Sequence, residues 1–198
     1  FTVLDGGTIE APYSLADMAD DAVGVLDALG LGSAHIVGAS LGGMIGQHVV
    51  TRHPDRVRTF TSIMSMPRFI PMELEVALSL QPLDVDPHDR EAIVAAGIEA
   101  ARLIAGTGYP FDEAYVRREA LANLDRAWNP DGGVRQMMAA LADGDRRPAL
   151  STVAAPTLVI HGTDDPLIVP QGGQETADAI PGAELVWVQE EPRNQGAW

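Results

Sequence analysis

The chain has 198 residues, with 13 basic against 28 acidic side chains, a net charge of −15 and no cysteine. Such a negative charge argues against nucleic acid and anionic membrane surfaces as partners. The lack of thiols excludes disulfides, thiolate metal sites and a cysteine nucleophile. Hydrophobic residues make up 46% of the chain, which is enough for the packed core of one domain or of a core with an insertion.

The first part of the chain predicts alternating helices and strands. Ser14, with Asp17 three residues later, indicates the start of a helix. Its apolar residues recur at helical spacing up to Leu29. A strand at 34–37, a helix at 43–53 and a strand at 57–63 follow. Helices that connect successive strands predict a parallel sheet.

The pattern changes after residue 66. Between 71 and 143 no segment reads as a strand, and apolar spacing predicts helices over 72–80, 89–105, 112–128 and 134–142. A strand at 156–161, a turn, a helix at 174–180 and a strand at 184–188 then follow. We therefore expect an α/β core in residues 1–66 and 151–198, with a helical insertion in residues 67–150.

Residues 38–42, which read Gly-Ala-Ser-Leu-Gly, carry a G-x-S-x-G pattern between the first predicted strand and the next helix. In that context a serine in a tight turn is typical of a nucleophile, and Gly38 and Gly42 let strand and helix approach closely. The alternative is a plain glycine-rich turn. A phosphate-binding loop fits less well, because the Lys-Ser/Thr ending and the G-x-G-x-x-G spacing are both absent.

Three features of the chain resemble the α/β-hydrolase family. They are the turn around Ser40, the helical insertion in the place of a cap, and residues 158–166, which match the strand and acid turn of that family. Residues 106–112 are similar to a segment of aclacinomycin methylesterase-like members. The resemblance implies an α/β-hydrolase fold, a mostly parallel sheet with a helical cap. It also implies a cytoplasmic protein, in agreement with the absence of a signal peptide and of any apolar run of membrane-spanning length.

The resemblance implies hydrolysis of a small, apolar ester without cofactor or metal. Ser40 would be the nucleophile, the N–H of Leu41 would supply half of the oxyanion hole, and Asp165 would orient a histidine, with Asp164 as the second choice. Perhydrolases, haloperoxidases and carbon–carbon bond hydrolases of this family use the same triad. The sequence does not indicate the substrate or the oligomeric state.

Two parts of the family pattern have no counterpart in the sequence. No strand and loop near the start can supply the second oxyanion donor, since no strand precedes Gly6-Gly7. No histidine follows Val188, although the family carries its catalytic histidine after the last strand. The early strands also have no counterpart. We therefore expect an incomplete copy of a serine hydrolase, through truncation, a frame change or genuine loss.

The five histidines offer no good replacement. His48 and His53 are expected on the helix after Ser40, directed away from its hydroxyl, and His35 at the far end of the strand before it. His88 lies in the cap. His161 is the nearest candidate, although a structural hydrogen bond within the acid turn is the favoured role, and a metal pair with Asp164 or Asp165 lacks further ligands.

The missing base leaves a second hypothesis open, in which the chain is a degenerate member that at most binds a small apolar ligand. Several methionines and aromatic residues either line a pocket under the cap or pack in the core. They are Met64, Met66, Phe69, Met72, Trp128, Met137 and Met138.

Overall fold

The fold is described from a computed structural model of the chain, covering residues 11–72, 76, 85, 86, 88–106 and 109–188. Gly6-Gly7, most of the expected helix over 72–80 and the tail from residue 189 lie outside these described residues. Their expected roles therefore stay predictions.

Four parallel strands form one sheet in the order β1-β2-β3-β4. The strands are β1 (Ala34–Ala39), β2 (Val57–Ile63), β3 (Thr157–Gly162) and β4 (Glu184–Val188). In the register, Ile36 lies beside Phe60 and Ile63 beside Ile160. Because all strands run in one direction, their carboxyl ends share one edge, and Ser40 and the turn after Gly162 both follow strands at that edge.

In the chain, one helix precedes the first strand, a second follows it, and a third precedes the last strand. They are α1 (Leu15–Ala28), α2 (Leu41–Arg52) and, later, α7 (Gln171–Ala179). The predicted cap of α1 is present, since the Asp17 amide donates to Ser14 Oγ at 3.2 Å and the Ser14 amide donates to Asp17 Oδ2 at 2.8 Å. The predicted parallel α/β arrangement is confirmed.

The elements described between β2 and β3 are helical. They are α3 (Arg90–Ile104), α4 (Glu113–Arg126), α5 (Pro130–Ala142) and the short α6 (Arg147–Leu150). Helix α5 begins four residues earlier than the expected start at Val134. The reason is that Pro130 occupies its first turn and the Asn129 side chain accepts from the Gly132 amide at 2.9 Å. No strand lies between Ile63 and Thr157 in the part of the chain that the structure describes.

The buried apolar side chains form two clusters. One lies between the sheet and helices α1 and α2, around Phe60, which is wholly buried. The second joins Leu15, Met44, Met66 and Ile168 and includes Ala139 of α5. This second cluster therefore connects the helical segment to the carboxyl edge of the sheet. None of the helices in the described residues combines the length and the apolar character needed to span a bilayer.

A buried arginine fastens the end of the helical segment to the core. Arg146 is only 7% exposed. Its Nε donates to Gln47 Oε1 at 2.8 Å, its Nη2 donates to the Met66 carbonyl at 2.7 Å, and its Nη1 pairs with Asp143. Burial lowers the pKa of Arg146 to about 10, so the guanidinium stays charged at neutral pH.

His48 bonds to the same carboxylate, Asp143, as Arg146. Its Nε2 is 3.1 Å from Asp143 Oδ1, and its side chain is 16% exposed. Burial, followed by the positive charges of Arg146 and Arg52, lowers the pKa of His48 from 6.5 to about 4. The imidazole is therefore neutral at pH 7 and donates to the carboxylate.

This lowered pKa predicts a loss of stability in mild acid. Below pH 6.5 the unfolded chain takes up a proton on His48, whereas the folded chain takes it up only near pH 4. The free energy of unfolding should therefore fall by about 1–2 kcal/mol between pH 7 and pH 5 because of this residue. Urea unfolding at the two pH values measures the fall. His48→Gln should reduce it, and an unchanged fall in His48→Gln would contradict the assignment.

Candidate active site

Ser40 lies in a strained turn between β1 and α2. Its backbone has φ 52° and ψ −120°, in the left-handed half of conformational space that L-residues seldom adopt. Its N–H donates to the Ile63 carbonyl at 2.9 Å, and its carbonyl accepts from the Gly43 and Met44 amides and from Ser65 Oγ. The backbone of Ser40 is thus held from β2, from α2 and from the loop after β2.

Glycine is required at Gly38, on the strand side of the turn. A Cβ on Gly38 would lie 2.5 Å from the Gly42 carbonyl carbon and 2.7 Å from the Gly43 nitrogen, both backbone atoms. The expectation that Gly42 is needed for the same reason is wrong, because a Cβ there would meet nothing within 4 Å. The second close approach is at Gly43, where a Cβ would lie 2.6 Å from Ser65 Cβ.

Leu41 is the first residue of α2. Amides in the first turn of a helix have no acceptor within the helix, and the positive end of the helix dipole is directed outward there. Among the described residues no acceptor pairs with the Leu41 N–H. The amide next to Ser40 is therefore available to an oxygen atom that carries negative charge.

Ser40 opens onto a cavity of about 600 Å³, the Ser40 cavity. Its walls come from α2, from the loop after β2, from α5 and from the turn after β3. The lining residues are Ser40, Leu41, Met44, Met66, Phe69, Met72, Gly133, Gln136, Met137, Ala140, Leu141, Leu167 and Ile168. Of the expected pocket residues, Met66, Phe69, Met72 and Met137 are among them.

The turn after β3, residues 163–170, holds Asp165 beside the cavity. Asp165 Oδ1 accepts from the Leu167 amide at 3.0 Å and from the Ile168 amide at 2.9 Å, and these two residues line the cavity. The second oxygen, Oδ2, faces the buried His161, whose Nε2 lies 3.6 Å away. Asp164, the second choice from the sequence, is exposed. The turn therefore holds Asp165 with one oxygen fixed by two backbone amides and the other beside His161.

His161 lies beneath this turn and does not line the cavity. It is about 1% exposed, and its Nε2 lies 2.6 Å from the Ile168 carbonyl, so that nitrogen carries the proton and donates it. The other nitrogen, Nδ1, is buried without a partner and packs against Gly173, where a Cβ would lie 2.6 Å away. His161 therefore supports the turn, as the favoured interpretation of the sequence predicted.

The other histidines are also remote from the cavity. His35 Nδ1 bonds to Thr59 Oγ1 at 2.8 Å, and His53 Nε2 bonds to Asp20 Oδ1 at 2.6 Å. His48 bonds to Asp143, and His88 is exposed. Hence none of the five histidines lines the Ser40 cavity. Among the described residues, no three His, Asp or Glu side chains lie together as a metal ion would require.

A family model for the alpha/beta hydrolase fold matches residues 6–191. The chain belongs to the α/β-hydrolase family. Its fold and its strained serine turn agree with that membership, and the family expected from the sequence is confirmed.

Individual α/β hydrolases are similar over most of this chain. Rhodomycin D methylesterase DnrP of Streptomyces peucetius is 30% identical over 198 residues, covering 90% of this chain and 66% of the methylesterase. This match confirms the likeness to methylesterase-like members. The chain thus spans just under two thirds of the length of that curated relative.

Two solved structures are also similar. Est816, an N-acyl homoserine lactone degrading enzyme, is 28% identical with a TM-score of 0.66, covering 91% of this chain and 68% of its own. The enol-lactonase from Burkholderia xenovorans LB400 is 25% identical with a TM-score of 0.64, covering 92% of this chain and 67% of its own.

The cavity face of α5 is a functional surface that the sequence-based expectations do not include. Gly133, Gln136, Met137, Ala140 and Leu141 follow the spacing i, i+3, i+4, i+7 and i+8, which places them on one side of a helix. That spacing is readable in the sequence. Pro130 and the two glycines at 132 and 133 are typical of a connection, although here they form the first turn of the helix.

The two glycines of the turn should respond differently to substitution. We expect Gly38→Ala to lower the free energy of unfolding by about 2–3 kcal/mol, since its Cβ would overlap backbone atoms that cannot move independently. Gly42→Ala is the matched control and should be neutral or slightly stabilising, because its Cβ enters open space in a helix. Urea unfolding measures both. Equal losses at the two positions would contradict the close approach of β1 and α2 at Gly38.

Proposed function

We propose that this chain carries the nucleophile and the acid of a serine hydrolase that acts on esters. The observation that carries the proposal is Ser40 itself, strained at φ 52° and opening onto an apolar cavity beside a free helix-terminal amide. Backbone strain of this kind persists where the surroundings enforce it, and it is concentrated at functional sites. A turn without a functional role can adopt a relaxed backbone conformation instead.

The proposed chemistry is acyl transfer to water. Ser40 Oγ attacks the ester carbonyl and gives its proton to a base, the carbonyl oxygen becomes an oxyanion facing the Leu41 N–H, and the leaving alcohol takes the proton from that base. Water then attacks the acyl-serine by the same route. Asp165 is the carboxylate that would orient a histidine base, in which role that histidine would take the place beside Oδ2 that His161 now borders at 3.6 Å. The base is not supplied by any of the five histidines, whose positions are described above.

The cavity favours uncharged, largely apolar esters. Of its lining side chains only Ser40 and Gln136 are polar, and none is charged. A charged group would lose its hydration there without a counterion, whereas apolar groups gain about 25 cal/mol for each Å² removed from water. The names of the relatives are in line with this, since one is a methylesterase and another an enol-lactonase. The cytoplasmic location expected from the sequence stays a prediction.

A second candidate is a non-catalytic member that only binds an apolar ligand. The observation that favours it is the absence of any histidine at the cavity in the described part of the chain. The two candidates differ in the reactivity of Ser40. In a serine hydrolase the Ser40 hydroxyl reacts with an electrophile in the cavity, whereas in a non-catalytic member the cavity binds a ligand and the hydroxyl does not react.

We expect an alkyl fluorophosphonate to label Ser40, and to do so faster when imidazole is added as an external base. Base catalysis contributes about 10²–10⁴ in rate, so a partial rescue by imidazole should be measurable. Peptide mass spectrometry locates the adduct. Ser40→Ala should abolish it, and Ser151→Ala, at an exposed serine, should not. Ligand binding without any Ser40 adduct, even with imidazole, would favour the non-catalytic candidate.

A further inference from the structure

One polar side chain lies on the cap side of the Ser40 cavity. Helix α5 contributes five residues to the lining, and four of them are glycine or apolar. The fifth is Gln136. Gln136 is solvent-exposed, so water satisfies its amide when the cavity is empty, and a ligand group in the cavity can replace that water.

The other described glutamines all have protein partners. Gln47 is wholly buried and bonds to Arg146 and to the Met66 carbonyl. Gln171 and Gln174 each donate to a carboxylate four residues later on α7. Gln136 alone among them has no hydrogen-bond partner within the described chain. Its amide can donate two hydrogen bonds and accept two.

The cavity also defines what such an amide would bind. Because none of the lining side chains is charged, the cavity offers no counterion for an anionic or cationic group. An amide that both donates and accepts is matched by a neutral group of the same kind, which is a hydroxyl or a carbonyl oxygen. Ser40 is the other polar side chain of the lining. Under the proposed function it reacts with the scissile ester, so the second polar group of a ligand would meet Gln136.

We propose that Gln136 is a specificity-determining residue, which hydrogen-bonds a hydroxyl or carbonyl group of an apolar ester at a position separate from the scissile bond. The inference rests on the proposed function, since it takes the Ser40 cavity as the substrate site. It predicts preference for esters whose apolar body carries one neutral oxygen substituent, over the same esters without it. A site that lacks such an amide would not make this distinction.

The test compares two ligands that differ by one hydroxyl, methyl 2-naphthoate and methyl 6-hydroxy-2-naphthoate. Isothermal titration calorimetry gives the ratio of their dissociation constants. The full chain should bind the hydroxylated ester more tightly, and Gln136→Leu should reduce this preference by about 2- to 10-fold, the value of one net hydrogen bond. Gln174→Leu, the same substitution at an exposed glutamine outside the cavity lining, is the matched control and should keep the preference.

An unchanged ratio in Gln136→Leu would overturn the inference, and so would failure of both esters to bind. The labelling of Ser40 separates this result from the proposed function. A ratio that shifts as expected without any Ser40 adduct would refute the hydrolase but keep the Gln136 contact. A Ser40 adduct with an unchanged ratio would keep the hydrolase and refute the contact.

Discussion

The site depends on one close approach of backbone to backbone, where β1 passes under the start of α2. At Gly38 there is no room for a Cβ between the strand and the carbonyl of Gly42. This contact forces the chain to reverse within the single residue Ser40, whose φ of 52° is the cost of the reversal. The strain is held by hydrogen bonds from three directions, among them the 2.9 Å bond from Ser65 Oγ to the Ser40 carbonyl. A relaxed turn would displace both the hydroxyl and the Leu41 amide.

The cavity above this turn depends on a second constraint, the buried guanidinium of Arg146. By donating to the Met66 carbonyl and to Gln47, it joins the loop after β2 to α2 and to the end of the helical segment. A bidentate pair, in which Arg68 Nε and Nη2 donate to Glu175 at 2.7 and 2.6 Å, fixes the same loop to α7. The loop supplies Met66 and Phe69 to the cavity wall. Rigid support of this kind keeps an apolar cavity open above the serine.

Local patterns in the sequence predicted the scaffold well. The strand at 57–63 has the predicted bounds, and the cap of α1 is formed by Ser14 and Asp17 as expected. These features depend on nearest neighbours, so a single chain reveals them. Sequence spacing alone did not distinguish Gly42, which faces open space, from Gly43, which meets Ser65 some twenty residues away. Such contacts depend on tertiary packing.

The same limit applies to the cavity and its polar groups. The sequence indicated Ser40 through the G-x-S-x-G pattern and Asp165 through a resemblance, and their roles stay proposals. It did not indicate that Gln47 and Arg146 form a buried pair, because they are separated by 99 positions and nothing in their local context marks them. Gln136 is not marked by the sequence for a different reason. Its helix begins with proline and two glycines, residues that usually mark a connection.

The most direct test of the account is a crystal structure of the chain after reaction with an alkyl fluorophosphonate in the presence of imidazole. The account predicts phosphorus bonded to Ser40 Oγ, a phosphoryl oxygen at about 2.7–3.1 Å from the Leu41 nitrogen, and the alkyl chain inside the Ser40 cavity. Phosphorus on another residue, or a Ser40 adduct directed to solvent with the Leu41 amide unpaired, would contradict it.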